Sequence, residues 1–73
     1  MIITTINNNK LFIQLDSLIK KGTISVSDDK GHQKSIAVRD SNFEVLDLYP
    51  GSDKIYITIE NGKKTITKTI NLS

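Results

Sequence analysis

The stretch "KIYITIENGKKTITKTINL", residues 54–72, restricts the fold more than any other part of the chain. Ile55, Ile57 and Ile59 recur at every second position with Tyr56, Thr58 and Glu60 between them. Successive side chains of a strand point to opposite faces, so this spacing describes a half-buried strand with a polar outer side. Asn61-Gly62 follows, the dipeptide that most readily supplies the two positive φ angles of a type I′ hairpin turn. The chain then returns through Ile66, Ile70 and Leu72, with Lys68 at the intervening inward position. An inward lysine suits an edge strand or a rim, where its stem is buried and its ammonium reaches water.

The rest of the chain uses the same vocabulary. Twelve isoleucines and threonines at 4, 5, 23, 58, 65, 67 and 69 favour strands, because β-branched side chains fit a pleated surface. Residues 1–6 read as a first strand, closed by a turn at Asn7, Asn8 and Asn9. "KLFIQLDSLIKKG" is ambiguous: Leu11, Ile13 and Leu15 alternate, while Leu11, Leu15, Leu18 and Ile19 also lie on one helical face. Asn9 could cap such a helix and Gly22 could end it, but the β character of the flanking segments favours a strand over about residues 10–16. Ile24 and Val26 then alternate up to the turn "DDKG", and "QKSIAVRD" is the return strand. "DSN", residues 40–42, makes the next break before "FEVLDL", in which Phe43 and Val45 share one face and Leu46 and Leu48 the other. Pro50-Gly51 suits a type II turn leading into the strand described first. Seven short strands at about ten-residue spacing are the signature of an all-β sandwich or barrel. A barrel here would be small, of the OB or SH3 type, and would carry one helix at residues 10–21.

A chain of 73 residues forms one domain and buries only about 60% of the surface its unfolded form exposes. With no cysteine and one histidine, it has no disulfide staple, and its core must be apolar. The net charge of +2 comes from dispersed lysines, and Lys20, Lys21, Lys63, Lys64 and Lys68 read as solvated guards of turns and edges rather than a nucleic-acid footprint. No apolar run approaches the roughly 18 residues of a membrane span, and the first residues lack a signal peptide's pattern. The expectation is a soluble protein without membrane insertion, in a virion or the cytoplasm.

The segment "NFEVLDLYPGSDKIYITIENGKKTITKTINL" resembles the second half of bacterial immunoglobulin-like domains, a group that includes glucodextranase-like and phage-associated sandwiches. In that family a phenylalanine-led strand runs into Leu-x-x-Gly-x-Asn-x-Ile-x-Val, and a polar hairpin closes the sheet. Leu48, Gly51, Ile55 and Ile57 hold the matching spacing, with Asp53 where asparagine is usual, and "GTISVSD" resembles the preceding central strand. The resemblance runs from about residue 22 onward. Lys54 stands where fibronectin-type domains place a tyrosine, so their tyrosine corner is absent. What the resemblance implies is a single immunoglobulin-like β-sandwich of about seven short antiparallel strands, with the small barrel as the alternative, and a binding or spacer role, as in modules that decorate phage tails and capsids.

Residues able to carry chemistry are few. His32 with Asp28 and Asp29 could form a metal or acid/base trio, though a histidine in a polar hairpin is far more often a solvated turn residue. Asp28, Asp29, Asp40 and Asp53 could gather oxygens for calcium, but no EF-hand spacing supports it, and turn chemistry explains aspartates there. The serines lack a glycine-flanked elbow, and the glycines are isolated turn residues rather than a phosphate loop. "NLS" at 71–73 matches a glycosylation acceptor that short sequences produce by chance. Of the four aromatics, Phe12 and Phe43 are expected in the core, Tyr56 outward, and Tyr49 at the end of the sandwich. No enzyme activity, small-molecule substrate, cofactor or metal is expected. The expected function is a non-catalytic structural or interaction module within a larger assembly, a phage particle or a bacterial surface, with protein partners and a possible homo-oligomer. A small inhibitor of a host protein is the alternative, and a single-strand nucleic-acid binder the weaker one. Candidate partner-binding residues are Tyr49, Pro50, Ser52 and Asp53 in one end loop and Asp29 and His32 in another, because recognition concentrates on loops held by a rigid scaffold.

Overall fold

The computed structural model describes residues 2–72; Met1, expected in the first strand, and Ser73, the last residue of the "NLS" match, lie outside them. Five strands make one antiparallel sheet: β1 (Ile2–Asn7), β2 (Lys10–Asp28), β3 (Gln33–Asp47), β4 (Lys54–Asn61) and β5 (Lys64–Asn71). The all-β expectation holds. The helix of the barrel alternative does not form, since residues 10–21 belong to β2 throughout. The seven strands of a sandwich are also not reached, because two pairs of expected strands are continuous. β2 joins the runs on either side of Asp16 and Ser17, and β3 joins "QKSIAVRD" to "FEVLDL".

Both expected breaks survive as bends. From Gln14 to Ile19, β2 advances five residues while its partner advances two, from Phe43 to Ser41. The surplus is a bulge, which bends and twists a strand without ending it. Opposite it, Asp40 takes a left-handed φ of 52°, a conformation aspartate tolerates better than most residues. A surplus of three residues is odd, so it exchanges the faces of β2. Leu11, Ile13 and Leu15 point inward before the bend, and Ile24 and Val26 after it. The alternating pattern of residues 10–16 and that of 24–26 are thus two halves of one strand read in opposite phase.

The long β2–β3 hairpin therefore curls into a half-barrel. β1 pairs with the first half of β2, β4 pairs with its second half, and β5 extends the sheet beyond β4. Inside the curl lie Leu11, Ile13, Leu15, Ile19, Ile24, Val26, Val38, Leu46, Ile55, Ile57 and Ile59. The expected inward triplet Ile55, Ile57 and Ile59 is at most 1% exposed. Gly22 lies where β2 and β4 approach so closely that a Cβ would strike the carbonyl oxygen of Glu60. It serves that approach rather than a helix end.

Two sequence expectations are corrected in detail. Phe43 is 48% exposed, and Phe12 is half-buried beside it with ring centroids 6.3 Å apart. The register pairs Phe12 with Val45 and Gln14 with Phe43, placing both rings on the outer face opposite Leu11 and Ile13. The second correction concerns the last hairpin, whose strands end at the pair Asn61 and Lys64. Its two-residue loop is thus Gly62-Lys63, with positive φ at Gly62 alone, the pattern of a type II′ turn. The I′ geometry occurs instead at the β1–β2 turn, where Asn8 and Asn9 have φ of 54° and 60°. Gly51 takes a φ of 89°, as a type II turn after Pro50 requires.

Candidate functional site

The curl brings the two ends of the β2–β3 hairpin together. At one end, the turn after β2 is organised by Asp28, whose Oδ1 accepts the backbone N–H groups of Lys30 at 2.9 Å and His32 at 2.8 Å. This is the local side-chain capping that makes aspartate a turn residue. At the other end, β3 runs into the loop of residues 48–53, where the Leu48 N–H donates to the Asn9 carbonyl at 2.7 Å. The two loops meet through Asp28. Its Oδ2 accepts the Ser52 hydroxyl at 2.7 Å and lies 2.9 Å from Nδ1 of His32. Beside it, Oδ1 of Asp29 accepts the N–H of Asp53 at 3.1 Å and, more weakly, that of Lys54 at 3.4 Å.

An aromatic stack closes the same junction. The His32 and Tyr49 rings lie nearly parallel, 11° apart, with centroids 4.0 Å apart. The Lys34 ammonium sits 5.1 Å from the Tyr49 centroid, within cation–π range. Tyr49 remains 45% exposed, so one contact surface of the stack faces solvent. Beneath it is a crevice of about 10 Å³ bordered by Val26, Leu48 and Ile55, room for a single water rather than a substrate. The larger depression, about 400 Å³, lies at the far end of β4 between Lys21, Arg39 and Glu60, and is open and shallow.

Charge is fixed at this junction. The Asp28 side chain is only 5% exposed, and its burial opposes ionisation. The hydrogen bonds from Ser52, His32 and Lys30 outweigh that burial and hold the carboxyl well below the usual carboxylate range. Asp29 follows the same logic: burial raises its pKa, the Asp53 and Lys54 amides lower it further, and the net shift is downward. Since an ionised carboxylate only accepts, the His32 Nδ1 that faces Asp28 carries the proton of that bond.

The order of the groups defines what the cluster can do. Nucleophilic catalysis requires a hydroxyl bonded to a base and the base bonded to an orienting acid. Here the hydroxyl and the imidazole both bond the carboxylate, which stands between them. The arrangement ties loops together. Among the described residues, no group of three or more His, Asp or Glu side chains is placed to hold a metal ion. Asp40, one of the four aspartates considered for calcium, sits at the bend of β3.

All six candidate residues fall at this junction. Asp29, His32, Tyr49, Ser52 and Asp53 are joined by the contacts above, and Pro50 forms the turn between them. Sequence reasoning missed Asp28 as the hub and Lys34 as the cation over Tyr49. The signal for Asp28 was its place before the turn, where aspartate binds backbone amides two and four residues on. Lys34 carried no signal, since its position follows from the curl. Comparison with protein-family models, curated proteins and solved structures finds no match to this chain.

Proposed function

We propose that the chain is a non-catalytic interaction module that docks a protein partner at the Tyr49 junction, as a component of a larger assembly such as a phage particle or a bacterial surface array. The observation that carries this reading is the rigid presentation of Tyr49. The ring is held by His32 on one side, Lys34 approaches it, and the loop beneath is pinned by Asp28 and Ser52. Tyrosine is enriched at binding hot spots, and an aromatic fixed before binding costs little ordering entropy on association. The resemblance of residues 22–72 to bacterial immunoglobulin-like domains supports the same reading through the binding and spacer roles of that family. Kinship with that group is part of the proposal, on the strength of the Leu48-Gly51-Ile55-Ile57 spacing, although five continuous strands stand in place of seven.

The experiment is retention of the tagged protein's partners from its native lysate or particle preparation, washed at moderate and at high salt and identified by mass spectrometry. Salt-resistant recovery of capsid, tail or surface proteins supports the assembly. A single host enzyme would transfer the reading to an inhibitor. Retained nucleic acid lost steeply with salt would replace the protein partner altogether.

A further inference from the structure

The curl is incomplete on one side, and the opening has a definite chemistry. Among the described residues β1 pairs only with β2 and β5 only with β4, so each presents one edge without a sheet partner. Side chains on the inner face of the sheet reflect this. Ile57 and Ile59 on β4 are at most 1% exposed, whereas Ile66, paired with Ile59 on β5, is 39% exposed. Ile2, Ile6 and Ile70 are only partly buried against the core. At one end of the opening, Leu15, Ile19, Ile59 and Ile66 line a small, mainly apolar pocket of about 30 Å³ that Asp16, Ser17 and Asn61 also border.

Lys68 lies across the opening. It pairs with Ile57, so its side chain starts on the inner face, and its ammonium reaches over to β1, 3.4 Å from the carbonyl oxygen of Ile2. No Cα of β1 lies within 8 Å of one of β5, and the reach of a lysine stem caps the gap at that point at on the order of two strand spacings, roughly 10 Å, the width one further strand would occupy. The ammonium is partly buried, and its hydrogen bond among the described residues is to a neutral carbonyl. A carboxylate would form a stronger, charge-assisted bond there.

We infer that the opening between β5 and β1 is a strand-addition site for an extended segment of a partner protein, with apolar side chains at alternate positions and one carboxylate at the level of Lys68. Backbone pairing along Lys64–Asn71 supplies affinity, while the apolar pocket and Lys68 read the side chains. The inference rests on the proposed interaction role but uses a surface separate from the Tyr49 junction.

The test uses the full chain and a synthetic peptide alternating valine with threonine, its central valine replaced by glutamate, followed by backbone amide NMR. Expected are slowed exchange in residues 64–71 and 2–7, and shift changes there and at the pocket residues Leu15, Ile19 and Ile59. The glutamate peptide should bind about tenfold more tightly than the same peptide with central lysine. Lys68→Met, which keeps an apolar stem, should abolish that preference without changing the spectrum of the core. Shifts only away from the opening, equal affinity for both peptides, no response at millimolar peptide, or protection in the free protein of the β5 amides that point away from β4 would each overturn the inference. A response at the opening stands even if no assembly partner is retained from the native source, and its failure leaves the Tyr49 reading intact.

Discussion

Gly22→Ala adds a single methyl group, and the geometry of the β2–β4 contact determines its cost. The new Cβ would collide with the Glu60 carbonyl oxygen and lie 2.9 Å from Cγ2 of Ile19. The first obstacle is backbone held in the ladder that pairs Thr23 with Glu60, and the second belongs to a side chain 2% exposed in the core, so neither moves freely. Overpacking of this kind costs about 1–3 kcal/mol. Replacing glycine by alanine returns about 0.4–1 kcal/mol by restricting the unfolded chain. With the clash at its upper range because backbone must shift, the net loss is about 2 kcal/mol. Against the roughly 4–11 kcal/mol expected for 73 residues, that is a large fraction. For a domain of this size it lowers Tm by about 8–16 °C. The assay is thermal unfolding followed by circular dichroism, with a urea titration to verify that the slope is unchanged. Thr65→Ala, at an exposed position of β5, is the control and should stay within about 0.5 kcal/mol. A Gly22→Ala variant as stable as the parent would refute the close β2–β4 approach, and with it the curl that depends on it.

Three further outcomes follow from the same packing and turns. Ile57→Val should cost about 0.5–1.5 kcal/mol and Ile57→Ala about 2–5 kcal/mol by denaturant titration, because the side chain is 1% exposed between Val26 and Lys68. Gly62→Ala places a Cβ at a φ of 63° with open space around it, so conformational strain of about 1–2 kcal/mol is the expected loss, measured in the same way. The pH dependence has a definite sign: Asp28 stays ionised in the folded chain at pH values where the unfolded carboxyl binds a proton. Stability is therefore full above about 3.8 and falls as the pH drops below it, and Asp28→Asn should flatten that acid limb in unfolding curves taken across the range.

How much of this was legible in sequence depends on the distance over which each signal acts. The inward triplet Ile55, Ile57 and Ile59 was readable because strand alternation is local and β4 pairs with both neighbours without a shift of register. The turns at Asn8-Asn9 and Pro50-Gly51 were readable because positive φ selects its residues. Residues 10–21 resisted because a bulge changes the phase of the alternation, and a strand that exchanges faces in mid-course imitates a helical stripe at Leu11, Leu15, Leu18 and Ile19. "DSN" looked like a break because Asp40 does adopt a turn-like φ, although β3 continues through it. Phe43 was misplaced for a related reason: an aromatic ring on a strand is usually inward, but the register with Gln14 assigns it to the outer face. At the junction, the loop residues were recognisable by type, while the contacts joining His32 to Tyr49 arise from a fold closing over a long separation in sequence.

The most direct test of the proposed role compares the wild-type chain with Tyr49→Ala and with Lys20→Ala, an exposed position at the bend of β2, in retention of partners from the native source at high salt. Tyr49→Ala removes an exposed ring from a loop that Asp28, Asp29 and Ser52 still hold, so folding should persist. Wild-type and Lys20→Ala should retain the same assembly proteins, and Tyr49→Ala should lose them while keeping a native spectrum. Undiminished retention by a folded Tyr49→Ala chain would contradict the proposed role.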